Sequence, residues 1–96
     1  MQKELDEILR SFVNYTVKRI IPENSPIEII VIKSMQTIII QIKVSQKDRG
    51  RIIGKKGVAI RSLKVLTTVI KNSNFPEDNR KINIEVVDEE DYAPKK

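Results

Sequence analysis

The sequence predicts a small α+β domain whose elements follow the order α-β-β-α-α-β. Apolar residues recur at helical spacing near the start of the chain and after its middle. Three runs rich in β-branched residues read as strands, and a glycine-containing break separates two predicted helices. The 96 residues suit one domain with one modest core. Three strands cannot bury both faces, so we expect all three helices to pack on one face of the sheet.

The first predicted helix covers about residues 3–20. Its core-facing stripe recurs every three or four positions, with charged residues between: Leu5, Ile8, Leu9, Phe12, Val13, Thr16 and Ile20. Pro22 and Pro26 follow. Because proline cannot continue a helix, these two residues delimit a loop.

Two strands joined as a hairpin come next, at residues 27–32 and 37–44. The first is nearly all apolar, whereas the second alternates and puts one set of side chains on a single face: Ile38, Ile40, Ile42 and Val44. Residues 33–36 form the predicted turn. A third strand at residues 81–87 alternates in the same way, with Ile82, Ile84 and Val86 inward.

Two helices are predicted between the second and third strands. Ser45 and Asp48 suit the start of a short helix that runs to about Ile53. A longer helix covers about residues 58–72, with Ile60 at the edge of a core stripe made of Ala59, Leu63, Leu66 and Ile70. We expect the folded domain to cover residues 1–87 and residues 88–96 to form a flexible charged tail.

Composition excludes several classes of function. The chain contains no His and no Cys, which removes histidine bases, thiol nucleophiles and zinc sites built on those ligands. We therefore expect no enzyme, no metal site and no cofactor. No stretch approaches the roughly 20 apolar residues of a membrane span, and the first residues lack a signal-peptide layout. These features predict a cytoplasmic protein.

Positive charge is concentrated in the middle of the chain. Residues 45–72 hold eight basic residues and one acidic residue, a net charge of +7, whereas the whole chain carries +5. A cationic segment on a near-neutral scaffold is typical of proteins that bind a polyanion. A lysine-rich solvated surface is the alternative that charge alone leaves open.

The break between the two helices is the most informative motif. It reads Arg51-Ile52-Ile53-Gly54-Lys55-Lys56-Gly57-Val58-Ala59-Ile60. Glycine allows a sharp turn and close backbone approach. The amides of Gly57 and Val58 are expected to start a helix without internal partners, which suits a phosphate beside the ammonium groups of Lys55 and Lys56.

Two nucleotide-binding motifs do not fit this stretch. A P-loop has the sequence G-x-x-x-x-G-K-[ST] and follows a strand. A dinucleotide fingerprint needs a third glycine and a strand before the turn. Here the glycines are three residues apart and a predicted helix precedes them.

The unit Ile53-Gly54-Lys55-Lys56-Gly57-x-x-Ile60 resembles the signature of the K-homology (KH) domain. The predicted element order is that of the prokaryotic (type II) KH topology. Size and the lead-in Asp48-Arg49-Gly50-Arg51 are similar to small bacterial single-KH RNA-binding proteins of the KhpA (YlqC) family. The resemblance covers about residues 3–87.

The resemblance implies a clamp on the backbone of about four single-stranded nucleotides. By analogy, Gly54 and Gly57 allow close approach, while Lys55 and Lys56 face phosphates. Arg49, Arg51, Arg61 and Lys64 would extend the cationic track. The remaining expected RNA-contacting or supporting positions are apolar: Ile52, Ile53, Val58, Ile60 and part of the strand from Ile38 to Ile42.

A second apolar strip lies about 120° from the predicted core stripe of the long helix: Val58, Ser62, Val65 and Val69. It is either scattered surface valine or an interface. The resemblance implies self-association as a homodimer and a heteromer with a second KH-containing protein of the KhpB (Jag) type.

The resemblance thus implies a binder of short single-stranded RNA with weak base discrimination, acting as an RNA chaperone or post-transcriptional regulator. Two alternatives stay open: a factor that meets ribosomal RNA during ribosome assembly, and a protein–protein adaptor with an inactive loop. Phosphate clamping alone does not separate RNA from single-stranded DNA.

Overall fold

The computed structural model describes residues 2–88 and confirms the predicted order of elements. The expected flexible tail at 88–96 lies outside the described residues, apart from the backbone of Asp88. No helix within the described range is long and apolar enough to cross a membrane. The elements are α1 (Gln2–Lys18), β1 (Ile27–Lys33), β2 (Thr37–Val44), α2 (Gln46–Ile53), a single 3₁₀ turn (Lys55–Gly57), α3 (Val58–Asn74) and β3 (Lys81–Asp88).

The three strands form one mixed sheet in the order β1-β2-β3. β1 and β2 pair antiparallel, and the predicted hairpin is closed by Ser34 N–H donating to the carbonyl of Thr37 at 2.8 Å. β3 pairs with β2 in parallel, with Thr37 opposite Lys81. Parallel neighbours need a crossover connection, and here α2 and α3 supply it.

The core lies between α1, α2, α3 and one face of the sheet. Burial alternates strictly along β2, so that its even-numbered residues are buried and its odd-numbered residues are partly exposed. The four inward side chains of β2 have no exposed surface, as the alternation predicts: Ile38, Ile40, Ile42 and Val44. From α1, the side chains that meet them are Leu5, Leu9, Val13 and Val17. Burying one such aliphatic side chain contributes about 1.5–3 kcal/mol, so this layer is the main stabilising element.

The predicted core stripe of α3 is wrong at Leu66, whose side chain is 48% exposed. The row that faces the sheet is instead Leu63, Thr67 and Lys71, each four residues apart. Two of these three are polar, so hydrophobic periodicity could not find them. The Thr67 hydroxyl donates to the carbonyl of Leu63 at 2.8 Å, which satisfies it inside the helix and allows its burial.

Two helix ends differ from the prediction by two residues. α1 stops at Lys18 because the chain tightens, with Ile20 N–H donating to the carbonyl of Val17 at 2.8 Å. α3 continues to Asn74, where Phe75 N–H still donates to the carbonyl of Lys71 at 2.7 Å. Such end differences are ordinary for helices that fray or tighten.

Candidate nucleic-acid interface

Residues 54–57, called the glycine loop below, join α2 to α3. Gly54 has φ 77° and ψ 174°, a conformation that essentially only glycine adopts. A Cβ at this position would lie 3.0 Å from both the Cβ and the backbone nitrogen of Ala59. Gly54 is therefore needed for its backbone angles and for the close packing of the loop against α3.

The rest of the loop is a left-handed turn rather than a plain connection. Lys56 (φ 55°, ψ 26°) and Gly57 (φ 73°, ψ 17°) both lie in the left-handed region, within the 3₁₀ turn Lys55–Gly57. Lys56 is the one non-glycine residue in residues 2–88 with a positive φ. Backbone strain of this kind clusters at functional sites, where the surrounding structure maintains it.

The expected free amides at Gly57 and Val58 are corrected by the structure. Gly57 N–H donates to the carbonyl of Gly54 at 3.2 Å, and Val58 N–H donates to the carbonyl of Lys55. The first hydrogen bond of the turn thus starts at Gly57. The N–H groups of Lys55 and Lys56 precede it and have no acceptor within the turn. The N–H groups that have no acceptor within the turn are therefore two residues earlier than expected, on the same residues that carry the ammonium groups.

The predicted cationic residues lie on exposed surface of α2, the glycine loop and the first half of α3: Arg49, Arg51, Lys55, Lys56, Arg61 and Lys64. Two of them have defined contacts within the fold. Arg49 Nε donates to the carbonyl of Val86 at 3.3 Å, which ties α2 to the edge strand β3. A guanidinium nitrogen of Arg61, Nη1, donates to the carbonyl of Lys56. All six cations are therefore exposed on one helix–loop–helix unit.

The expected role of the isoleucines needs correction. Ile52 is fully buried, so it belongs to the core and is not an RNA contact. The inward residues of β2 from Ile38 to Ile42 are buried as well and cannot floor a groove. α2 packs beside β3, one of the two edge strands of the sheet, so β3 is the strand next to the site. Ile53 and Ile60 are partly buried against the core and support the loop from below.

A pocket of about 340 Å³ opens between α3, the segment before β3 and the start of β3. It is lined by Lys64, which the charge pattern had selected, and by residues that sequence reasoning missed: Asn79, Lys81 and Asn83. Their polar side chains lie beside the cationic flank of α3. Only the order of the elements could have indicated these residues, because the chain that connects α3 to an edge strand has to pass the cationic flank of α3.

The wall of this pocket is held by a polar network around Asp78. Arg80 donates to the Asp78 carboxylate through Nε at 3.0 Å and Nη2 at 2.6 Å, and its main-chain N–H donates to the same group at 3.0 Å. The side-chain hydrogen bond from Arg80 is the main reason that the pKa of Asp78 falls from 3.8 to about 2. Its effect outweighs partial burial, which raises the pKa. Side-chain hydrogen bonds thus hold the segment before β3 in a defined conformation.

The predicted second strip of α3 is exposed in the structure. Val58, Val65 and Val69 are 53%, 60% and 52% exposed, and Leu66 joins them at 48%. Together with exposed Ser62 these residues form a largely apolar surface, called the outer stripe below: Val58, Ser62, Val65, Leu66 and Val69. Val58 is the only member beside the glycine loop. An exposed apolar surface of this kind on a small domain is typical of an interaction site.

Fold and site together define a KH domain of the prokaryotic type II topology: an α-β-β-α-α-β domain with a strained glycine turn between two helices. The chain belongs to the KhpA/KhpB family, because the family model described as "KhpA/KhpB, KH domain" matches residues 10–86. A KH domain is a binding module, and the chain is accordingly not an enzyme.

Curated relatives cover most of the chain at modest identity. The RNA-binding protein KhpA of Clostridium perfringens is 28% identical over 79 residues, which is 82% of this chain and 100% of the relative. The protein of that name from Chlamydia trachomatis is 27% identical over 81 residues, covering 84% and 99%. That of Borreliella burgdorferi is 26% identical over 76 residues, covering 79% and 88%.

Proposed function

We propose that this chain binds single-stranded RNA through the glycine loop and the cations on either side of it. The observation that carries the proposal is the coincidence on Lys55 and Lys56 of exposed ammonium groups and first-turn N–H donors. RNA binding is also the property for which the curated KhpA relatives are named. We expect the protein to act in the cytoplasm as an RNA chaperone or post-transcriptional regulator.

The physical basis is a phosphate clamp. A phosphate oxygen in front of the loop would accept hydrogen bonds from the amides of Lys55 and Lys56 and lie beside their ammonium groups. Neighbouring phosphates would follow other exposed cations of the two helices, such as Arg51 on α2 and Lys64 on α3. Such contacts read the backbone, so base discrimination should be weak and come from the pocket beside β3.

The direct test is the double substitution Lys55→Asp, Lys56→Asp. Fluorescence anisotropy with a labelled single-stranded RNA should show loss of binding, while circular dichroism stays native because both side chains are exposed. The matched control is Arg10→Asp, Lys18→Asp on α1, which makes the same change in net charge on exposed residues away from the loop. Equal loss in both variants, or retained binding in the loop variant, would contradict the clamp.

A titration with single-stranded DNA of the same base sequence shows whether the protein prefers RNA to DNA. Phosphate contacts alone would bind both equally, whereas contacts to the 2′-OH would favour RNA. In either case log affinity should fall linearly with log salt concentration, because lysine and arginine side chains that contact phosphates displace counterions from the nucleic acid.

The outer stripe supports a second activity, association with another protein. We propose that it pairs first with the outer stripe of a second copy, and that a KhpB-type KH protein is the alternative partner. Two joined RNA surfaces would raise affinity by avidity. Val65→Glu should then lower the mass measured by light scattering, and an unchanged mass, or a wild type monomeric at high concentration, would contradict self-association.

A further inference from the structure

We infer that Arg61 is a positioning residue of the clamp, which holds the backbone of the glycine loop instead of contacting a phosphate. The inference rests on the proposed RNA-binding function and concerns how the loop is kept in its binding conformation. It assigns the Arg61 guanidinium a role different from those of the other cations on this surface.

The loop needs such support. Neither Gly54, before the 3₁₀ turn, nor Gly57, before α3, provides a side-chain hydrogen bond to cap the helical turn that follows it. Lys56 nevertheless keeps a left-handed conformation that side chains other than glycine rarely adopt. A strained backbone conformation persists only where contacts with neighbouring groups hold it in place.

Arg61 contacts the loop backbone from within α3. Its Nη1 donates to the carbonyl of Lys56, which is the peptide unit between the two left-handed residues. The guanidinium packs closely against Gly57, since a Cβ on that residue would lie 3.1 Å from Arg61 Nη1. Gly57 and Arg61 therefore form one structural unit.

This contact has two consequences for binding. It fixes the Lys56 peptide unit before RNA arrives, which lowers the entropy that binding has to overcome. It also places positive charge on a carbonyl oxygen that would otherwise repel a phosphate near the loop. Lysine would keep the charge, but it lacks the planar fork of several N–H donors with which arginine holds a fixed acceptor.

The test compares Arg61→Lys, which keeps the charge, with Arg61→Gln, which removes it. Lys64→Gln, one turn further along the same cationic flank, is the control for the amide signals of the free protein. Anisotropy titrations with a labelled single-stranded RNA are run at several salt concentrations, and amide NMR spectra are recorded on the free proteins. Circular dichroism checks that all variants are folded.

A positioning role predicts that Arg61→Lys weakens RNA binding about fivefold, the effect of one net hydrogen bond, without changing the salt slope. The amide signals of Lys56 and Gly57 should shift in the free Arg61→Lys protein and stay unchanged in Lys64→Gln.

Two results would overturn the inference. One is wild-type affinity with unshifted loop amides in Arg61→Lys. The other is a direct phosphate contact, shown by a salt slope reduced by about 0.7 in Arg61→Gln and preserved in Arg61→Lys. A wild type that does not bind RNA would contradict the proposed function instead, and the free-protein amide signals would still decide whether Arg61 orders the loop.

Discussion

Lys71 donates its ammonium hydrogens to the main-chain carbonyl of Asp78 and, at 3.0 Å, to the side-chain oxygen of Asn72. The residue is only 2% exposed, although it is a lysine on a helix. Because Asp78 lies between α3 and β3, this contact ties the connecting segment back onto the helix it has just left. The wall of the pocket beside β3 is thus attached to α3.

Replacing Lys71 with Met should therefore destabilise the fold by about 1–3 kcal/mol. Methionine keeps the apolar stem but leaves the carbonyl of Asp78 without its donor. Urea unfolding followed by circular dichroism measures the change. Lys64→Met is the matched control, because Lys64 is exposed and a surface change should stay within about 0.5 kcal/mol. Equal effects at the two positions would mean that the buried contact contributes nothing.

The Asp78–Arg80 pair makes stability depend on pH at the acidic end. The folded pKa of Asp78, about 2, lies below its ordinary value of 3.8, so the stabilisation is fully present above the ordinary value and is lost as pH falls towards 2. The difference in unfolding free energy between wild type and Asp78→Asn should narrow by about 2 kcal/mol between pH 6 and pH 2. Urea titrations across this range test it, with exposed Glu77→Gln as the control. A constant difference would contradict the pairing.

The order of elements was predictable because each element carries its own local signal. The alternation in β2 identifies its buried face, and the glycines mark the one turn that other residues cannot form. The burial of Thr67 and Lys71 was not predictable, since each depends on an acceptor that only the folded chain supplies. Leu66 was assigned to the core because periodicity does not show which apolar flank of a helix meets the sheet.

The two leucines of α3 should consequently respond very differently to truncation. Leu63 is 2% exposed, so Leu63→Ala should cost about 2–5 kcal/mol through lost burial and the cavity it leaves. Leu66 is 48% exposed, so Leu66→Ala should cost less than about 1 kcal/mol. Thermal and urea unfolding, at a protein concentration where the chain is monomeric, compare them. Similar losses of unfolding free energy in the two variants would show that Leu66 belongs to the core.

The candidate site was predictable in its residue types but not in its geometry. Charge density and glycine spacing select Lys55 and Lys56. The N–H groups that have no acceptor within the turn nevertheless lie two residues earlier than expected, because a 3₁₀ turn intervenes. Asn79, Lys81 and Asn83 were missed because their position depends on how the segment before β3 folds, which the Asp78 network decides.

Gly50 and Gly54 lie four residues apart and should respond oppositely to replacement by alanine. Gly54→Ala should destabilise the protein by about 2 kcal/mol or more, since its φ of 77° excludes a side chain and the new Cβ would meet Ala59 at 3.0 Å. Gly50→Ala should stabilise it by about 0.5–1 kcal/mol, because Gly50 lies inside α2 and a Cβ there meets nothing within 4 Å. Thermal unfolding of both variants shows whether each substitution lowers or raises the stability of the protein. A destabilising Gly50→Ala would contradict the open surroundings seen here.

The pocket beside β3 should contribute to RNA binding through Lys81. Lys81 is exposed and lines the pocket together with Lys64, so a strand leaving the glycine loop along α3 would bring a phosphate near both ammonium groups. Lys81→Gln should reduce the magnitude of the salt slope by about 0.7, the value for one phosphate contact on a single strand, and weaken affinity for all base sequences alike. Anisotropy titrations at several salt concentrations measure the slope, with the exposed Lys18→Gln on α1 as the control. If Lys81→Gln behaves like the control, Lys81 contacts no phosphate of the bound strand.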